Sequence, residues 1–218
     1  MIVFYKFLFP LLLLSSNLID NDKKELVLEL NINNKNITLN NSYENININI
    51  FKINKLKFYI SNLKFYLKDK EVLEYHKKHI LIDIENENSL KILIPNKLRF
   101  DEITFNLGVD EETNKSGAKG GDLDPINGMY WTWNSGYINF KVEGVYKGSN
   151  EFSYHIGGFM KPYDTIQLIK MNLHSLNENK LVLNFDEFFN KIDFSLSEIL
   201  SPGENAVKLS TLLANSIN

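Results

Sequence analysis

The chain has 218 residues, 44% hydrophobic and 23% charged, so it is long enough for one sizeable core and short for two. Its formal net charge is -3 and its lysines are scattered, which argues against a nucleic-acid partner. The absence of cysteine excludes disulfides, thiolate metal ligands and the acylated cysteine of a bacterial lipoprotein.

The first residues, MIVFYKFLFPLLLLSSN, follow the order of a secretory signal peptide. Lys6 precedes an apolar run over residues 7–14, and two serines come next. This run is shorter than the roughly 20 apolar residues of a membrane-spanning helix, and the alternative is a buried first strand or helix. We predict that residues 1–16 are a signal peptide and residues 17–218 a single domain. The mature protein is then exported, either to a periplasm or to the cell exterior, and it does not span the membrane.

Apolar and polar residues alternate along most of the chain, which is the pattern of half-buried β-strands. The runs with this pattern include Leu26, Leu28, Leu30 and Ile32, then Ile46, Ile48 and Ile50 after a turn at Asn40 and Asn41. Further candidates are two short apolar runs on either side of Ser61-Asn62, then HILIDI, SLKILIP, ITFNLGV, TIQLIKMNL and KLVLNF. The spacing of these runs predicts an all-β fold, an antiparallel β-sandwich, rather than alternating βαβ units.

Helix signals are confined to the end of the chain. Ser201 is a predicted N-cap, Pro202 the first helical residue and Glu204 the third, and apolar residues follow at helical spacing from Ala206 to Ile217. We predict a short C-terminal helix packed on the sheets. A helical turn over residues 186–190 is a weaker prediction.

Both tryptophans of the chain lie in one run, GGDLDPINGMYWTWNSGYINFKVEG. If this run is extended, Met129, Trp131 and Trp133 share one face of a strand. Such a pair of tryptophans usually belongs to a core, because each ring buries a large area. The alternative is that the pair forms a binding face for a metal ion, another cation or a ligand ring.

Among the four histidines, His155 stands out. In FSYHIGG it points away from the apolar face, together with Ser153, and Gly157 and Gly158 leave space beside it. His76 and His79 lie three residues apart before an apolar strand, whereas His174 is predicted to lie in a later strand or turn. A single histidine is more often a surface residue than a ligand, but imidazole without thiolate suits zinc, copper or nickel.

A long loop, GVDEETNKSGAKGGDLDP, is rich in side-chain oxygen atoms. Asp110, Asn114, Asp122 and Asp124 are candidate calcium ligands, although their spacing is not that of an EF-hand. The alternative is that these side chains cap turns of the loop itself. The motifs of the common enzyme classes are absent, and thiol nucleophiles are excluded, so we do not expect an enzyme.

The Trp-rich run and the loop before it, with FSYHIGGF after them, FYISNLKFYL and LIDIENENSL before them and LSPGENAVKLS near the end, resemble the MbnP-like family of exported bacterial proteins. This resemblance implies a copper-associated β-sandwich encoded near methanobactin uptake genes. The family is similar to surface copper proteins that hold Cu(I) with two histidines and a kynurenine made from tryptophan. A di-haem, peroxidase-like enzyme that oxidises the tryptophan is the implied partner.

Carried over by motif, the copper residues are Trp131, Trp133 and His155. The second histidine ligand is left open, with His79 as the first choice and His76 as the second, and the resemblance does not decide which tryptophan is oxidised. The expected function is storage or handover of copper. The alternatives are an exported binding module whose loop holds calcium and binds a protein or other ligand, and a structural surface protein without metal.

Overall fold

A computed structural model describes residues 22–47, 50–133, 136–173, 179–195, 197–200 and 202–217, with only the backbone described for 197–200. The predicted signal peptide lies outside these residues. The strands are β1 Lys23–Ile32, β2 Lys35–Asn36, β3 Ser42–Glu44, β4 Ile50–Leu67, β5 Lys70–Glu74, β6 His79–Asp83, β7 Lys91–Pro95, β8 Glu102–Leu107, β9 Tyr130–Trp131, β10 Gly136–Tyr146, β11 Asn150–Gly157, β12 Gln167–Asn172, β13 Lys180–Asn184 and β14 Ser197–Leu200. The helices are α1 Glu111–Lys115, α2 Asp186–Lys191 and α3 Glu204–Ile217, with single 3₁₀ turns at Glu87–Leu90, Gly121–Leu123 and Pro125–Asn127.

The strands form two sheets, as the alternating pattern predicts. The smaller sheet has the order β13-β1-β2, with β7 also paired to β1. The larger sheet has the order β12-β8-β4-β10-β11-β14, and β3, β5 and β6 pair with β4. The pairing is antiparallel except for β1 with β13 and β11 with β14, which are parallel. The predicted all-β, antiparallel sandwich is therefore confirmed, with these two parallel pairs as exceptions.

The central strand of the larger sheet, β4, is a single element of 18 residues rather than the two short strands predicted on either side of Ser61-Asn62. Asn62 has a positive φ of 51°, and the register with β8 shifts between Ser61 and Lys64. Asparagine tolerates this left-handed conformation, so the chain forms a bulge here and continues.

The predicted strand at Ile46, Ile48 and Ile50 is wrong. Ile46 lies in a turn with 73% of its surface exposed, Ile48 is outside the described residues, and Ile50 is the first residue of β4. Tyr43 in β3 and Phe51 in β4 supply the buried side chains on either side of this turn. The apolar alternation thus falls in a turn here, because Tyr43 and Phe51 already supply the buried side chains.

The main core lies between the two sheets and is closed by the helices. Its members include the four β1 residues predicted from alternation, together with Phe58, Phe140, Phe188 and Leu213. The helix α3 begins at Glu204 rather than at the predicted Pro202, and its first turn closes with a hydrogen bond from Val207 N–H to the carbonyl of Gly203. The predicted N-cap, Ser201, lies outside the described residues. None of the helices in the described ranges is long and apolar enough to cross a membrane.

A second, smaller apolar cluster contains Tyr59 of β4, whereas its neighbours Phe58 and Ile60 belong to the main core. Because successive residues of a strand face opposite sides, this cluster lies on the outer face of the larger sheet. The segment between β8 and β10 covers that face and supplies most of the cluster, which consists of Tyr59, Val109, Leu123, Met129, Trp131, Tyr137 and Ile138. The candidate site lies at the edge of this cluster.

Candidate metal centre

The two tryptophans have different environments. Trp131 belongs to β9 and is 6% exposed, whereas Trp133 lies in the turn after β9 and is 63% exposed. The prediction that both share one strand face is wrong, because β9 ends at Trp131 and the chain turns back toward β10. The two rings nevertheless remain close, with centroids 5.5 Å apart and planes inclined by 38°.

The indole ring of Trp131 packs directly on the backbone of Gly157. A Cβ atom at Gly157 would lie 2.5 Å from Cζ3 of Trp131, a distance that no real side chain tolerates. The space that Gly157 was predicted to leave beside His155 is thus filled by this ring, whereas the space at Gly158 is filled by Tyr163 and Pro202. His155 and Gly157 are two residues apart on β11, about 7 Å along the strand and on the same face. Trp131 Nε1 is buried and has no hydrogen-bond partner among the described residues.

His155 is held by a carboxylate on the neighbouring strand. The imidazole Nε2 lies 2.8 Å from Oε1 of Glu143 and 3.1 Å from Oγ of Ser153. Burial raises the pKa of Glu143, but hydrogen bonds from Lys55 and His155 and the charge of Lys141 outweigh this effect and lower it to about 2. Burial also lowers the pKa of His155, although Glu143 opposes that shift. At neutral pH the pair is therefore a carboxylate beside a neutral imidazole.

These charge states fix the tautomer of His155. An ionised carboxylate can only accept a hydrogen bond, so the proton of the neutral ring is on Nε2. The lone pair is then on Nδ1, and within the described residues every hydrogen bond of this ring is made by Nε2. A histidine that donates one N–H to a carboxylate and offers its other nitrogen to a metal is a common arrangement in metal sites.

His79 makes a similar pair with Asp110. Its Nε2 lies 2.9 Å from Oδ2 of Asp110, and the imidazole is buried. Burial lowers the pKa of His79, and the bond to Asp110 opposes this shift. Lys78 lies 3.3 Å from the same Asp110 oxygen. The structure thus contains two imidazoles that are each oriented by a carboxylate.

His79 and His155 are too far apart to bind one ion together. On β4, Ser61 pairs directly with His79 of β6. Lys57 of β4 pairs with β10, and the paired residue of β10 pairs in turn with His155 of β11. This register separates the histidines by three strand spacings, about 14 Å, and by four residues along β4, about 13 Å. His76, the second choice, is exposed and packs against Tyr75 with ring centroids 4.4 Å apart. The strand that carries His79, β6, therefore does not neighbour β11, the strand that carries His155.

The candidate calcium ligands are used within the loop and its surroundings. Asp110 accepts the Thr113 N–H as the N-cap of α1, and the side chain of Asn114 bonds to Val109 O and Tyr137 N–H. Asp122 accepts from Leu81 N–H and pairs with Lys77, whereas Asp124 accepts from Ile126 N–H. The four side chains are not gathered around a common point, and the alternative that they cap turns of the loop describes most of these contacts. Calcium binding has no support here.

Sequence reasoning missed the residues around His155. Three of them face the same side of the sheet as His155, namely Glu143 and Lys141 of β10 and Lys55 of β4. The carboxylate of Glu143 contacts both lysines and His155. The alternation in NFKVEG indicates that Lys141 and Glu143 share a face. Only the pairing of β10 with β11 reveals that this face includes His155.

The described residues around His155 include one imidazole and no group of three metal-binding side chains. Within the described residues, no three histidine or acidic side chains converge in the manner of a zinc or calcium site. The site instead offers one neutral imidazole nitrogen beside an aromatic ring whose Nε1 is buried and unpaired. Imidazole is a reasonable ligand for Cu(I) where thiolate is absent, whereas the Nε1–H of an intact indole can only donate a hydrogen bond.

Comparison with known proteins places this chain in a family. The model of the MbnP family matches residues 21–205. Among solved structures, MbnP from Methylosinus trichosporium is similar in fold, with a TM-score of 0.60 at 11% sequence identity over 84% of this chain and 82% of that chain. No curated protein sequence matches the chain. Because the family model covers most of the sequence, this protein belongs to the MbnP family.

Proposed function

We propose that this protein is an exported copper-binding protein that takes up Cu(I) at His155 and stores it or hands it on. Membership of the MbnP family supports a copper-related role. The observation that carries the assignment to His155 is its hydrogen bond with Glu143, because this bond leaves the lone pair of Nδ1 for a ligand. The proposed role is non-catalytic, and the proposed location is the periplasm or the cell exterior.

We further propose that Trp131, rather than Trp133, supplies the second ligand after oxidation to kynurenine. Trp131 is buried near His155 and its Nε1 has no partner in the described residues, whereas Trp133 is largely exposed. Oxidative cleavage of the indole C2–C3 bond gives N-formylkynurenine, and hydrolysis of its formamide then releases formate and frees the aromatic amine of kynurenine. The oxidant must come from outside the chain, and a di-haem, peroxidase-like enzyme is the partner that the family resemblance implies. Trp133 then forms the exposed wall of the site.

A competitive Cu(I) titration tests the assignment of His155. The protein beginning at Asn17 is titrated against a Cu(I) chelator, and intact mass records whether tryptophan is oxidised. Competition is needed because copper ions bind many exposed imidazoles without specificity. We expect one tight equivalent that His155→Ala removes. His79→Ala is the matched control, since it deletes the other carboxylate-bound imidazole and should leave this equivalent intact.

The outcomes separate the parts of the proposal. Loss of the tight equivalent in His79→Ala but not in His155→Ala would move the site to the other pair. If both variants bind like the wild type, neither histidine holds the ion and the assignment fails. If binding appears only when Trp131 is oxidised, and Trp131→Phe prevents it while Trp133→Phe does not, the proposed second ligand is supported.

A further inference from the structure

The carboxylate of Glu143 is shared by three donors from three strands. Lys55 Nζ lies 3.0 Å from Oε2, Lys141 Nζ lies 3.4 Å from Oε1, and His155 Nε2 lies 2.8 Å from the same Oε1. One negative charge thus faces two ammonium groups and an imidazole. The two lysines leave a surplus of one positive charge beside His155.

Lys141 is the more firmly held of the two ammonium groups. Its side chain is only 12% exposed, against 33% for Lys55. Besides contacting Glu143, its Nζ donates a 3.1 Å hydrogen bond to the carbonyl of Gly128. Lys141 is also the direct cross-strand partner of His155, so the two side chains emerge side by side. The charge therefore stays next to the imidazole.

Lys57, the next lysine across the sheet, has no surplus of positive charge around it. Lys57 pairs with Lys141 across the sheet, but its Nζ lies 2.8 Å from Asp83 and 3.7 Å from Glu85. Its charge is neutralised by carboxylates on the side away from His155. Lys57 is thus close to His155 and about as buried as Lys141, but the two carboxylates cancel its electric field at His155.

We propose that Lys141 is a specificity-determining residue that favours singly charged Cu(I) over divalent ions at His155. The inference rests on the proposed function, because it concerns the cargo bound at that residue. Coulomb repulsion is proportional to the charge of the incoming ion, so a fixed ammonium group opposes a dication twice as strongly as a monocation. Burial reduces the screening of this repulsion by solvent and salt. Specificity of this kind arises from a repulsive element that acts against the competitor.

The test compares Zn(II) and Cu(I) affinities, each measured by competition with a chelator, in the wild type and in Lys141→Gln. We expect the Zn(II) affinity to rise by about tenfold relative to the Cu(I) affinity when the ammonium group is removed. Lys141→Arg keeps the charge and should keep the wild-type ratio. Lys57→Gln is the matched control, because its compensated charge should change the ratio by less than about twofold. Lys55→Gln should shift the ratio in the same direction as Lys141→Gln and provides a second variant if the latter does not fold.

An unchanged ratio in folded Lys141→Gln and Lys55→Gln would overturn the inference while leaving Cu(I) binding intact. An equal shift in Lys57→Gln would also overturn it, since the effect would then reflect general surface charge. If the wild type shows no tight Cu(I) site, the proposed function fails, but the charge effect is still measured by Zn(II). In that case Lys141→Gln should bind Zn(II) more tightly than the wild type, and the added His155→Ala change should abolish the gain.

Discussion

Trp131 and Gly157 are in direct contact: the indole ring occupies the space that a Cβ atom at position 157 would need. This contact attaches the segment between β8 and β10 to β11, two residues from His155. The glycine is required here by close approach, because an added methyl group would also lie 2.8 Å from the carbonyl oxygen of Tyr137. The position of the ring and that of the proposed copper ligand are thus set by one strand.

Gly157→Ala should therefore displace Trp131 and destabilise the fold. We expect a loss of about 1–3 kcal/mol in the free energy of unfolding, the usual cost of forcing a methyl group into a packed site. Urea unfolding monitored by fluorescence measures it. Gly120→Ala is the matched control, because its φ is -89° and a Cβ there would meet no atom within 4 Å. Equal stabilities for the two variants would contradict the described contact.

Fluorescence quenching should distinguish the two tryptophans. Trp133 is 63% exposed and should be quenched readily by iodide, whereas Trp131 is 6% exposed and should be protected. Trp133→Phe should leave emission that is shifted to shorter wavelength and resists iodide. Trp131→Phe should leave emission that is fully quenched. Equal quenching in the two variants would mean that Trp131 is not buried between this segment and the larger sheet.

Glu143→Gln should weaken Cu(I) binding without moving His155 far. The neutral amide no longer selects the tautomer with the proton on Nε2, so part of the protein would lack a lone pair on Nδ1. We expect the affinity to fall by about 10- to 100-fold, the usual effect of removing a carboxylate behind a histidine ligand. Glu71→Gln, which breaks the surface pair with Lys64, serves as the control and should not change the affinity. An unchanged affinity in Glu143→Gln would remove this carboxylate from the site.

Asp110→Asn should change how stability depends on pH. Burial raises the pKa of Asp110, but hydrogen bonds from Thr113 and His79 outweigh it and lower the pKa from 3.8 to about 2. A carboxylate with a depressed folded-state pKa stabilises the fold above its unfolded pKa, and this contribution is lost as the pH falls toward 2. Asparagine keeps the N-cap of α1, so the variant should lose mainly the charge.

The stability difference between the wild type and Asp110→Asn should then shrink by about 1 kcal/mol as the pH falls from about 5 to about 2, after allowance for partial exposure of the carboxylate. Urea unfolding of both proteins across this pH range measures the change. A difference that stays constant would show that Asp110 has the same pKa in the folded and unfolded chain.

Local periodicity is sufficient to predict much of this fold. The alternation in β1 predicts a buried face, and the structure buries Leu26, Leu28, Leu30 and Ile32. The capping residues before α3 predict its presence, although not its first residue. These features depend on neighbours in sequence, which is the information that a pattern contains.

The candidate site depends on pairing between distant strands, and local patterns do not contain that information. His155 and Glu143 meet because β10 and β11 pair in one register, and His79 is kept apart because β6 pairs with the opposite edge of β4. The environment of Trp133 depends on where β9 ends. A shift of one residue in any of these registers would turn the side chains to the other face.

The strand β4 pairs with five other strands along its two edges. Its amide protons are therefore among those expected to exchange with solvent only when the whole molecule opens, because no partner can leave without breaking the sheet. The same strand carries Phe58 into the core and Lys57 onto the outer face beside the proposed copper site. Cooperative unfolding should consequently dissolve the core and that outer face in one step, so a cargo ion bound at His155 would slow hydrogen exchange throughout β4.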